Sequence, residues 1–225
     1  MARLPLSDQG LSDCSMNILV RYYWHHKLKG SPYQPLFAAP VDHEYVSLDC
    51  ETTSLDPNQA ELVTIAATKI IGNRIITSQP FEVRLRAPQS LDCNSIKIHR
   101  IRHQDLKHGI EEKQALIELL DFIGNRPLVG YHIRYDKKIL DRACLKQLGF
   151  PLPNRLVEVS QLYQEKLERQ LPNAYFDLSM DAICRQLDLP IPVNKHDALQ
   201  DAISAALIFV RLKHGDLPRF NSSYS

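Results

Sequence analysis

The chain has 225 residues, 44% of them hydrophobic and 24% charged, which is ordinary for a globular protein and enough to bury a core without disulfides or a structural metal. Its 27 basic and 26 acidic side chains leave a net charge of +1. That balance excludes nucleic-acid binding by overall charge, so any such contact has to come from a local patch.

Residues 1–43 read as an arm. In "MNILVRYYWHHKLKG", Ile18, Leu19, Tyr22 and Tyr23 fall at helical spacing and Gly30 marks a stop. A helix that packs on the main domain or on a protein partner is predicted there. The main domain, 44–213, opens with "YVSLDCE" as a first strand. "ELVTIAATKIIG" is a second, Gly72-Asn73 a turn, and "RIITSQPFEVRL" a third, interrupted by Pro80. Short connections between them imply an antiparallel meander.

The basic stretch "HRIRHQDLKH" reads as a loop facing phosphate or solvent. Its His99 and His103 are four apart, the spacing of a helical metal pair. The period then changes. In "EEKQALIELLDFIG", Leu116, Leu119, Leu120 and Ile123 mark an amphipathic helix. "PLVGY" is a short strand, and "YDKKILDRACLKQLG" a helix with Leu140, Cys144 and Leu148 on one stripe and a stop near Gly149. "RLVEVSQLY" runs from strand into helix, "LSMDAICRQLDL" is a helix ended by Pro190 and Pro192, and "HDALQDAISAALIFVRLKH" is a long last helix. Residues 214–225 form a C-terminal tail. The expectation is an α/β fold: a mixed five-stranded sheet with helices on both faces, plus an N-terminal helical arm.

Other signals narrow the function. Five cysteines, widely spaced and without a C-x-x-C, argue against a disulfide framework or zinc ribbon and for a reducing compartment. No apolar run approaches the ~18 residues of a membrane span, and the N-terminus has no continuous apolar core of signal-peptide type. A cytoplasmic protein with no membrane contact is expected. Neither a Walker motif nor a G-x-G-x-x-G is present, which weakens nucleotide-cofactor readings.

The first strand carries an oddity. Side chains alternate faces along a strand, so Tyr45, Ser47, Asp49 and Glu51 share one face and Val46, Leu48 and Cys50 the other. Asp49 and Glu51 stand roughly 6–7 Å apart along the strand, close enough for their carboxylates to converge on a cation. In the last helix, Ala198, Ala202, Ala205, Phe209 and Leu212 form the apolar stripe, and Asp201 falls about 60° from its centre. A carboxylate on that flank needs a cation or several hydrogen bonds. Asp136 opens a middle helix and His196 just precedes the last one.

This ordered set resembles the DnaQ-like 3′→5′ exonucleases, the histidine (DEDDh) branch of the DEDD superfamily. "LDCETTSLDP" is similar to the first family motif, giving Asp49 and Glu51. "LVGYHIRYDKKIL" is similar to the second, giving Asp136, and "HDALQDA" to the third, giving His196 and Asp201. The branch follows from a histidine five residues before the last aspartate, where the sister branch has a tyrosine four before it; Asp197 stands there in this chain. The similarity runs from about Tyr45 to Leu212 and includes "SIKIHRI", which resembles a family segment near the substrate groove. Three departures stand out: Ser54 where the family usually has glycine, Tyr131-His132 where it often has histidine-asparagine, and Tyr135 where it often has phenylalanine.

The resemblance implies a ribonuclease H-like fold and phosphodiester hydrolysis with two divalent ions, Mg2+ or Mn2+. It implies Asp49, Glu51, Asp136 and Asp201 as metal ligands and His196 as general base, the role that histidine's ordinary pKa of about 6.5 suits. It implies the backbone near Thr52 and the side chain of Leu55 as holding the terminal nucleotide, and His99 as a substrate-binding residue near the groove. The expected partner is a single-stranded 3′ end of DNA, in proofreading or repair. An exoribonuclease trimming RNA is the alternative, and a catalytically silent nucleic-acid-binding or scaffold module is the reading from another class.

Overall fold

A computed structural model describes residues 16–172, 175–192 and 196–215. The greater part of the expected C-terminal tail, and the first fifteen residues of the expected arm, lie outside that range. Five strands form one sheet: β1 (Glu44–Thr52), β2 (Leu62–Ile71), β3 (Arg74–Arg84), β4 (Leu128–Gly130) and β5 (Leu156–Glu158), in the order β3-β2-β1-β4-β5. β1, β2 and β3 are joined antiparallel, and β4 and β5 are added parallel. Gly72, with φ 62°, takes the first place of the two-residue β2–β3 turn, which a residue with a Cβ would enter at a cost. β3 runs through Pro80, but its pairing with β2 is broken there as expected: Ile76 pairs with Lys69 and Phe81 with Ala67, so residues 77–80 bulge out of the ladder. The proline is tolerated because β3 is an edge strand.

Helices cover both faces. α1 (Ile18–Lys27) lies in the arm, followed by α2 (Cys93–His99), α3 (Glu112–Ile123), α4 (Ile133–Leu148), α5 (Val159–Glu168), α6 (Met180–Gln186) and α7 (Ala198–His214). On one face Val46, Leu48 and Cys50 of β1 join Leu116, Leu119, Leu120 and Ile123 of α3 and Leu140 and Cys144 of α4 in a buried cluster. On the other, Tyr45 and Ile70 pack with Ala205, Phe209 and Leu212 of α7 and Tyr163 of α5. The alternation in β1 thus sorts its residues between two helix layers. Each such aliphatic side chain contributes about 1.5–3 kcal/mol by leaving water.

Two expectations change. α2 reaches only His99, the first residue of the basic stretch, which otherwise runs as a loop with a short 3-10 turn at His103–Leu106. Asp92 caps α2, accepting from the Ser95 N–H at 2.8 Å while the Ser95 hydroxyl accepts from the Asp92 N–H. The helix ends at His99 and Arg100 takes a left-handed backbone, so His99 and His103 do not share a helix and form no i,i+4 metal pair. In α1, the stripe expected to pack faces outward: Ile18, Leu19, Tyr22 and Tyr23 are 80, 74, 72 and 54% exposed. The arm is held instead by Trp24 and Leu28, which pack on the core, and by Arg21. The Arg21 guanidinium donates to the carbonyls of Phe37 at 3.0 Å and Pro153 at 3.1 Å.

Candidate active site

The site is assembled at the C-terminal end of β1. Its pairing with β2 is regular through Asp49 and Glu51 and shifts register only between Glu51 and Thr52, where the strand gives way to the loop bearing Ser54 and Leu55. On the α7 face, the Ser47 hydroxyl donates to the Ala202 carbonyl at 2.6 Å, in a fully buried contact. That bond pins α7 two residues from Asp49 on the strand and one from Asp201 on the helix. Asp49, Glu51 and Asp201 present carboxylate oxygens within 4.8 Å of one another.

Asp136 arrives from the opposite side. It belongs to the first turn of α4, the helix that packs on the Val46–Leu48–Cys50 face, and lies outside that three-carboxylate group. α4 reaches the strand end because β4 finishes in Gly130. A Cβ there would sit 2.9 Å from the Leu48 carbonyl oxygen and 2.9 Å from the Ile133 Cβ. The next turn is held by His132, a non-glycine residue at φ 58°, whose N–H donates to Glu158 Oε1 at 2.9 Å. Such a left-handed conformation costs roughly 1–2 kcal/mol and persists where surrounding contacts impose it.

The carboxylates are electrostatically crowded. Burial, then the Asp136, Glu51 and Asp201 charges, push Asp49 well above the usual carboxylate range. Burial, followed by Asp201 and Asp197, raises Glu51 to about 7. Burial also raises Asp136 strongly, against hydrogen bonds from its own and the Cys50 backbone N–H. Asp201 rises through burial, opposed by the His196 imidazole and backbone N–H. Four carboxylates that resist ionising beside one another call for positive charge among them. Their all-oxygen donor set fits hard divalent cations such as Mg2+ or Mn2+ and does not suit a soft-metal site.

A cleft of about 900 Å³ brings all eight expected residues together: Asp49, Glu51, Thr52, Leu55, His99, Asp136, His196 and Asp201 line it. Their roles differ by exposure. His196 is exposed, with φ 61°, immediately before the α7 N-cap Asp197. Leu55 stands 83% exposed on the rim. His99 is buried; its Nδ1 accepts from the Ile101 N–H at 3.1 Å and its Nε2 has no partner among the described residues. Burial, then the nearby His196, lowers the His99 pKa, so its ring is neutral. The Thr52 hydroxyl lies 2.7 Å from the Tyr135 hydroxyl and 3.1 Å from the Ser54 carbonyl, to which Tyr135 also donates. Tyr135 therefore braces the loop in which Ser54 replaces the usual glycine.

Asp92 and Asp181 also line the cleft. Sequence reasoning passes them over because an N-cap and a first-turn aspartate read as helix capping. Cys50 lines it too, with its thiol hydrogen-bonded to Asp136; burial and the surrounding carboxylates push that thiol well above the ordinary cysteine range.

Residues 46–209 match the family described as Exonuclease (RNase_T). The PolC-type DNA polymerase III of Thermotoga maritima is 26% identical over 170 residues, 76% of this chain and 12% of that protein. The DNA polymerase III subunit epsilon of Rickettsia prowazekii is 27% identical over 174 residues, 76% of this chain and 74% of that one. The chain thus spans only a small part of the PolC-type relatives and most of the epsilon subunits. Among solved structures, E. coli Exonuclease I in complex with an oligonucleotide superposes with a TM-score of 0.62 at 12% identity, covering 77% of this chain and 42% of that one. Cell-death related nuclease 4 superposes with a TM-score of 0.62 at 16% identity, covering 76% and 63%. At such identities the structures establish the shared fold. No helix among the described residues is long and apolar enough to cross a membrane.

Proposed function

We propose that this chain, which belongs to the exonuclease family and to its DnaQ-like DEDD superfamily, is a metal-dependent 3′→5′ exonuclease acting on the single-stranded 3′ end of DNA. The observation that carries this reading is the convergence of Asp49, Glu51 and Asp201 within 4.8 Å, in one cleft with Asp136 and His196. The overall reaction adds water across the last phosphodiester, releasing a nucleoside 5′-monophosphate and leaving a strand one nucleotide shorter with a free 3′-hydroxyl.

Asp49, Glu51 and Asp201 would hold one divalent cation, and Asp49 with Asp136 a second. When bound, the two ions, Mg2+ or Mn2+, supply activation of water and neutralisation of the leaving oxygen. The chain's own residues do the rest. His196, exposed at the mouth of the cleft, takes the proton of the attacking water on a ring nitrogen. The His99 ring lines the cleft wall beside the place of the terminal nucleotide, and Leu55 offers an apolar rim for a base. The backbone around Thr52, braced by Tyr135, frames the same subsite. Nothing in this constellation reads base edges, so cleavage is expected to show little sequence preference. A proofreading or repair role follows as the setting for a DNA 3′ end.

The test is a degradation assay with 5′-labelled single-stranded DNA and RNA in Mg2+, Mn2+ or EDTA, beside Asp49→Ala and His196→Ala. A metal-dependent ladder on DNA, lost in both variants, is expected. A ladder on RNA alone would move the substrate to RNA. Degradation of neither polymer by folded protein would favour a binding or scaffold role.

A further inference from the structure

The catalytic cleft does not end at its rim. A second cavity, of about 640 Å³, shares Leu55, His132 and Tyr135 with it as a common wall. The charges on the two sides of that wall are opposite in kind. The cleft is lined by aspartates and a glutamate, whereas the second cavity carries Arg134 and Lys138. These two lie on successive turns of α4, four residues apart, and so project on one side of the helix. Gln161 Oε1 accepts from the Arg134 guanidinium at 2.8 Å, which orients that cation without neutralising it.

One carboxylate, Glu158, also lines the cavity. It is engaged with protein donors: the His132 N–H at 2.9 Å, the Ser160 hydroxyl at 2.9 Å and the Ser160 N–H at 3.4 Å. The wall itself is firmly placed, since Tyr135 is bonded to Thr52 and to the Ser54 carbonyl.

A nucleic-acid strand carries a negative charge at every phosphate. Cations held by the carboxylates would offset charge at the scissile phosphate, but the phosphates behind it need protein cations away from the acidic cleft. We propose that Arg134 and Lys138 form a phosphate-binding subsite for the substrate strand on the 5′ side of the scissile bond, with the strand crossing the Leu55–Tyr135 wall to reach it. This rests on the exonuclease reading and extends it to how the strand is held. The enzyme then prefers strands several nucleotides long.

The test compares wild type with the double variant Arg134→Gln/Lys138→Gln, both folded by thermal unfolding. Anisotropy of a fluorescein-labelled oligothymidylate of about a dozen nucleotides, in Ca2+ across a salt series, reads binding. Hydrolysis of thymidine 5′-(p-nitrophenyl phosphate), which has no strand behind its phosphodiester, reads chemistry. Loss of two single-strand phosphate contacts lowers the salt slope by about 1.4 and weakens binding about 25-fold at 0.1 M salt. Hydrolysis of the small ester stays at the wild-type rate. An unchanged slope, or an equal loss on the small ester, overturns the proposal. A wild type that hydrolyses neither the small ester nor, when Mg2+ replaces Ca2+, the oligothymidylate sinks the exonuclease reading, and the salt slope still decides the subsite.

Discussion

His196 and Asp49 line one cleft but make different demands on the proposed reaction, and substitution separates them. His196→Ala removes the proposed proton acceptor and leaves the carboxylates in place. We expect kcat to fall about 10²–10⁴-fold with Mn2+ affinity by calorimetry unchanged. Asp49→Ala removes the carboxylate at the centre of the group, so cation binding and turnover fail together. Retained turnover in His196→Ala would remove that residue from the mechanism. The crowding also predicts a pH effect. Glu51 titrates near 7 in the fold against 4.5 ordinarily, and Asp49, Asp136 and Asp201 shift the same way. Between those values the folded protein holds a proton that the unfolded chain has released. Stability without cations therefore falls as pH rises through that window, by about 3 kcal/mol for Glu51 alone. Thermal unfolding in EDTA should give a lower Tm at pH 8 than at pH 5. Added Mg2+ should raise it at pH 8 and do little at pH 5, because the cation competes with those protons.

The junction of β4 and α4 decides where Asp136 stands. Gly130 allows the helix to approach Leu48, and Glu158 from the end of β5 fixes the turn at His132. Gly130→Ala forces three contacts at 2.9 Å to open, two to Ile133 and one to the Leu48 carbonyl oxygen. It should destabilise the protein by about 1–3 kcal/mol, as overpacking does, and displace the α4 first turn. Activity should fall further than that stability loss explains, with a higher Mg2+ requirement for half-maximal rate. Unchanged activity in a folded Gly130→Ala would show that α4 tolerates the shift. The other helix carrying a site carboxylate, α7, is placed differently, by the Ser47–Ala202 bond and by Ala205, Phe209 and Leu212 against the sheet.

Across the molecule, the arm and the site lie at opposite ends of α4. Tyr33 and Phe37 pack on Phe150, just past the C-terminus of that helix, while Asp136 lies in its first turn. Sixteen helical residues span about 24 Å. Arg21→Ala leaves several backbone carbonyls without their charged donor and should lower stability by about 1–3 kcal/mol, with specific activity of the folded enzyme unchanged. A parallel loss of activity at temperatures where the variant is folded would show that the arm communicates with the cleft.

Much of this architecture is legible in the amino-acid order, because its signals are local. Alternation in β1 separates Val46, Leu48 and Cys50 from Asp49 and Glu51, and the helical period marks Leu116, Leu119, Leu120 and Ile123 and the α7 stripe. The motif order brings Asp136, His196 and Asp201 into view before any packing is known. Other features depend on elements far apart in the chain. Which side of α1 faces the core follows from Arg21 and Trp24 meeting the 34–38 turn and Pro153, so the more apolar stripe is left outside. That Asp136 comes from the helix layer opposite Asp201, that His99 is buried with a ring nitrogen unpartnered among the described residues, and that Arg134 and Lys138 face a cavity joined to the cleft, follow from how α2, α4 and α7 pack around one strand end. Periodicity assigns a residue to a face of its own element; the neighbour that face meets is set by long-range packing.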